Sequence, residues 1–168
     1  MIDVASLTLN RLVVAIETSH FPEPPLPAEL REQIFDSMQV AVPNSIRNLY
    51  AKLNGARFFT KQDSPFRLLK ANELLRTELA LLEDPNAKID GLDLFTLIAY
   101  PDCSFFSVDL SGRLPHCMPV VDCYGGTFGK QAQSPIVAMT VEEILQRILQ
   151  SDGKHFHLNR SFLHYGFV

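Results

Sequence analysis

Leu9, Leu12, Val13 and Ile16 recur at the spacing of one helical face, which predicts a first helix over about residues 4–18. The proline-rich "HFPEPPLP" (20–27) stops it, and Leu30, Ile34, Phe35 and Met38 mark a second helix over about 28–40. A third follows over 43–54. There Pro43 suits a first turn, Ile46, Leu49, Tyr50 and Leu53 share a face, and Asn54-Gly55 reads as the stop. Gly55 is accordingly expected at positive φ. Short strands are predicted at 57–60 and 66–69 around the turn "KQDSP", and then a helix capped by Asn72 and running to Glu83.

After the loop "DPNAKIDG" the pattern changes. "DLFTLIAY" (93–100) is nearly all apolar, as a strand buried on both faces requires. "CSFFSVDL" (103–110), "PVVDCY" (119–124) and "PIVAM" follow as strands between turn residues. Thr140 and Glu143 form a capping box ahead of Ile144, Leu145, Ile148 and Leu149, and Gly153 ends that helix. Helices first, clustered strands next and a closing helix give an α+β class. At 168 residues this is one domain, ending in an aromatic and histidine-rich tail at 154–168.

Hydrophobic content of 46% and charged content of 20% are globular values. No apolar run is long enough to span a bilayer, so no membrane partner is expected. The odd cysteine count (Cys103, Cys117, Cys123) fits no disulfide framework and points to a reducing compartment, the cytoplasm. Net charge is −4, but residues 71–110 alone hold two basic against eight acidic side chains, a local −6. Such a surface repels nucleic acid and suits a cationic protein. The plainer reading is a solvated helix and loop. Either way, all eight carboxylates are expected on the exposed side.

No catalytic motif is complete. "GGTFGKQ" (125–131) fails as a phosphate loop, because Tyr124 stands five residues before Gly129 and Gln131 occupies the magnesium-binding Ser/Thr position. Cys103, Cys117 and Cys123 with His116 lack zinc-ligand spacing. In "KHFHLNRSFLHYGF", His155 and His157 face the same way if the segment is extended, and His164 can approach after a turn. That leaves a metal-dependent hydrolase as an alternative to an aromatic tail folded back on the domain. No metal or cofactor is expected.

Taken in order, "VPNSIRNLYAKLNGARFF", "PFRLLKANELLRT", "FTLIAYPDCSFFSVDLSG", "PVVDCYGG" and "SPIVAMTVEEILQRIL" resemble the SUKH superfamily, the family of fungal cell-wall-synthesis regulators and bacterial immunity proteins. The chain departs from the family pattern at Ala56, where a second small glycine is usual, and in its long 79–92 insert. Over a core of about residues 27–150, the resemblance implies a mixed, mainly antiparallel sheet flanked by helices. It also implies a protein-binding domain without a catalytic centre, many of whose bacterial relatives neutralise a toxin, often a nuclease. The expected partner is a basic toxin, with the chain itself a monomer or homodimer; a regulatory or scaffolding module is the alternative. The expected contact face is acidic and partly aromatic: Tyr100, Asp102, Asp109, Asp122 and Tyr124 at strand ends, with Glu83, Asp84, Asp90 and Asp93 on the neighbouring loop.

Overall fold

The first helix forms as α1 (Val4–Ser19), and Leu9, Leu12, Val13 and Ile16 are its buried side chains. This computed structural model describes residues 4–62, 65–83, 91–114, 117–126, 128 and 134–168. α2 (Ala28–Ser37) and α3 (Asn44–Tyr50) are shorter than their apolar patterns suggest. Leu30, expected on the inner side of α2, is exposed, while Phe35 is fully buried. Pro43 is the N-cap of α3 rather than part of its first turn.

Gly55 takes φ +98°, as expected, but for a different reason. α3 has already ended at Tyr50, so Gly55 is not its stop. The Gly55 carbonyl accepts the Glu23 N–H, and the Asn54 side chain accepts the Ala71 N–H. A Cβ at Gly55 would lie 3.0 Å from the Leu68 carbonyl oxygen. The glycine lets neighbouring strands close up.

Those strands are β1 (Phe21–Pro22), β2 (Ala56–Arg57) and β3 (Arg67–Leu68), each only two residues long. They lead into β4 (Leu94–Tyr100), β5 (Ser104–Asp109), β6 (Val120–Cys123) and β7 (Ile136–Ala138). The sheet order is β1-β2-β3-β4-β5-β6-β7, and every pairing among the described residues is antiparallel. The α+β class stands, but no parallel pair makes this part of the sheet mixed. β4 carries a bulge between Thr96 and Ile98, and its Leu94–Ile98 stretch is buried throughout.

The helix predicted from Asn72 to Glu83 splits. A 3-10 turn spans Ala71–Glu73, and α4 covers only Thr77–Leu82. Between them the chain is drawn along β4: Thr96 N–H donates to the Leu75 carbonyl, and Arg76 bridges Phe95. The first turn is capped by the Glu73 carboxylate on the Lys70 N–H, not by Asn72.

One large core joins α1, α2, α3 and α5 (Val141–Gln150) to one face of the sheet through Phe95, Ile98, Phe106, Val108 and Val120. α1 packs against α5. α4 packs on β4 and β5, and Leu81 meets a second cluster of Leu94, Val121, Cys123 and Phe128. Thr140 caps α5 by accepting the Glu143 N–H at 3.1 Å. The Glu143 carboxylate reaches the Met139 N–H, one residue before the position a capping box would use. The tail then returns beside β7, where Phe167 bridges Pro135 and the Tyr165 hydroxyl donates to Glu143. It does fold back on the domain. No helix among the described residues is long and apolar enough to cross a membrane.

Candidate functional site

α5 gives way to two left-handed residues, Asp152 (φ 52°) and Gly153 (φ 78°), which turn the chain back toward the sheet. Gln62 fastens this corner by donating to the Asp152 carbonyl at 2.8 Å. A 3-10 turn, Phe156–Leu158, follows, so the segment is not extended. His155 and His157 nevertheless come together, with ring centroids 5.6 Å apart and planes 26° from parallel. They cover the end of the sheet where β4 and β5 meet in a hairpin and β6 finishes.

That end supplies Tyr100, Asp102, Ser104, Asp122 and Tyr124, which with the two histidines and Leu158 line a pocket of about 270 Å³. Tyr100 donates a very short hydrogen bond to Asp122 Oδ1. The His157 ring lies 5.0 Å from Tyr100 and meets Phe106 edge-on at 4.9 Å. Asp102 and Cys103 tighten the hairpin in left-handed conformations, φ 67° and 52°, and Asp102 projects into solvent.

Burial governs the protonation of this group. It pushes the Asp122 carboxyl up from 3.8 to about 6, against the opposing pull of the Tyr100 hydrogen bond and of His155. It lowers His157 from 6.5 to about 4, helped by neighbouring His155. Burial, then Asp122, keep the Tyr100 hydroxyl protonated far above its ordinary range. His157 is therefore neutral at pH 7, and its Nε2, 3.9 Å from Asp122 Oδ2, forms neither an ion pair nor a hydrogen bond.

The expected contact residues divide between two ends of the sheet. Tyr100, Asp102, Asp122 and Tyr124 come together, and α4 reaches the same end: Leu81 lies 3.8 Å from where a side chain at Gly125 would sit. Glu83, exposed and left-handed, closes α4. Asp93 and Asp109 lie at the opposite end, as the Leu94↔Asp109 and Tyr100↔Ser104 pairings require, about 20 Å away along the strands. Asp93 pairs with Arg76 at 2.9 Å. Asp109 is buried and accepts from the Asp93 N–H and from the Ser111 N–H and hydroxyl, so it fixes a loop rather than offering a surface. Asp84 and Asp90 lie outside the described residues, as do His116 and Gly129 to Gln131.

The expectation that all eight carboxylates of 71–110 are exposed fails at Asp109 and at Glu78, which is 1% exposed beneath α4. Glu73 is paired with Arg67. Compared with known proteins, the chain matches no family model, no curated protein and no solved structure. Among the described residues no group of three or more His, Cys, Asp or Glu is arranged to hold a metal ion. His164 meets Phe167 edge-on instead of joining the other two histidines.

Sequence reasoning missed the outer face of α4. Leu79 and Leu82 share it at i and i+3 and are 39% and 44% exposed, and Leu75, on the extended stretch before the helix, is 47% exposed. The signal was present, since "ELLRTELALLE" is apolar almost all round while a short surface helix needs only one apolar stripe.

Proposed function

We propose that the chain is a protein-binding domain that acts without catalysis, an immunity protein of the SUKH type that neutralises a basic toxin in the cytoplasm by direct contact. The observation that carries this reading is the exposed apolar set at one end of the molecule. Leu79 and Leu82 on α4, Tyr124 after β6 and Leu158 in the tail are all exposed, as are Glu83 at the end of α4 and Asp102 in the β4–β5 hairpin. Exposed apolar surface bordered by charge is the composition of a recognition face, with aromatic and aliphatic anchors inside and a polar rim outside. The resemblance in sequence order supports the same class of partner. A regulatory or scaffolding module would use this surface in the same way with a different partner.

The test begins with the protein that co-purifies from native cells. Leu82→Glu and Tyr124→Ala should each weaken its binding by roughly 2 kcal/mol, about thirtyfold, as anchors near an interface centre do. Leu30→Glu, on exposed α2, is the control. Equal affinities for all three variants and the native chain would remove this surface from consideration. Glu83→Lys with Asp102→Lys should slow association most at low salt, where the Debye length is about 30 Å rather than about 10 Å.

A further inference from the structure

We infer that the pocket between Tyr100, Asp122, His155 and His157 is a guanidinium site that receives an arginine side chain of the partner, an inference that rests on the reading of this sheet end as the partner-binding surface. The His157 side chain is 1% exposed, lines the pocket, and has no hydrogen-bond partner at either ring nitrogen. His155 Nε2 is likewise buried and unpaired. Buried polar atoms are nearly always paired, so three such nitrogens on two residues that line one cavity point to a ligand that completes them.

The chemistry of the walls selects the ligand. Among the described residues no Lys or Arg lines the pocket, whereas Asp122 sits inside it and Asp102 at its rim. A cation is favoured and an anion is not. Asp122 Oδ1 is occupied by Tyr100, which leaves Oδ2 to accept from a ligand. A neutral imidazole offers one acceptor nitrogen, so His157 adds an acceptor beside that carboxylate. The donors are not gathered closely enough for a metal ion, whose bonds to nitrogen and oxygen are only about 2 Å long. A flat group with several N–H donors spans such a spread, and arginine presents five in a fixed fork. Tyr100 and Tyr124 also line it, and a guanidinium packs well against aromatic side chains. The cavity of about 270 Å³ exceeds several times the roughly 30 Å³ of one water, which leaves room for the group and part of its stem.

N-acetyl-arginine methylamide is the probe, and the ring signals of His155 and His157 in a proton–carbon correlation spectrum are the readout. Saturable shifts are expected at millimolar probe. The citrulline analogue, the same shape without the charge, should bind at least about tenfold more weakly, as should the arginine probe to Asp122→Asn. No saturable shift by about 50 mM probe, or equal binding of arginine and citrulline by the native chain, would overturn the inference whatever the variant does. The two readings fail separately. Arginine binding with a partner indifferent to Leu82→Glu and Tyr124→Ala sinks the surface but not the pocket. Partner binding that depends on those residues, with no probe bound, sinks the pocket alone.

Discussion

Asp122→Asn and His157→Gln, made singly and together, separate two proton linkages that oppose each other in the native chain. Asp122 titrates at about 6 when folded against 3.8 ordinarily, so between those values the folded chain holds a proton the unfolded chain has lost. Its contribution is fully present below pH 3.8 and disappears as pH rises through about 6. His157 has the reverse sign: with a folded value of about 4 against 6.5, its contribution is present above pH 6.5 and is lost as pH falls through about 4. At about 1.4 kcal/mol per decade each is worth roughly 3 kcal/mol. Over their shared range, about pH 4 to 6, the two nearly cancel. Asp122→Asn should therefore become less stable on acidification from pH 6.5 to about 4, by roughly 3 kcal/mol relative to native. His157→Gln should instead become more stable by a similar amount, and the double variant should track the native profile. Urea unfolding followed by circular dichroism at closely spaced pH values measures all four chains. Parallel pH profiles for the native chain and both single variants would refute the reasoning.

Gly55→Val places a β-branched side chain at φ +98° and a Cβ 3.0 Å from the Leu68 carbonyl oxygen, so a loss of at least about 2 kcal/mol is expected. An unchanged urea midpoint would show that β2 and β3 do not need that close approach. Thr140→Ala removes the side-chain cap of α5 and should cost about 1 kcal/mol, read from the thermal midpoint. Thr140→Ser, which keeps the hydroxyl, should restore most of it.

The elements that could be read from sequence are those whose local pattern and tertiary setting agree. β4 is a nearly continuous apolar run, β5 and β6 are largely apolar segments bounded by turn residues, and all three lie where expected because both sheet faces are covered. β1 could not be read: Phe21 and Pro22 stand in a proline-rich stretch and are strand only because Ala56 and Arg57 pair with them. α4 lost its first turn to a similar effect, since Thr96 and Phe95 hold Leu75 and Arg76 in an extended path that helical propensity alone would not choose. Pattern reasoning brought His155 and His157 to one side only for an extended segment, where a 3-10 turn stands instead, but it did place Tyr100, Asp122 and Tyr124 at strand ends. What it could not supply was the meeting of the two groups, because the corner at Asp152 and Gly153 and its anchor Gln62 lie far apart in sequence. Charge counting went furthest astray at Glu78 and Asp109, where the local total carries no information about which carboxylates turn inward.

A sheet whose strands pair in chain order can be zipped up as the chain leaves the ribosome, each strand finding its neighbour already made. α1 cannot finish so early. Its helix partner in the core is α5, which begins only at Val141, so the stripe of Leu9, Leu12, Val13 and Ile16 is synthesised long before that shelter exists. At roughly 5–20 residues per second the delay is on the order of ten seconds. During that interval the nascent chain presents a sticky amphipathic helix, the kind of segment to which chaperones bind. The first helix made is among the last to find its place.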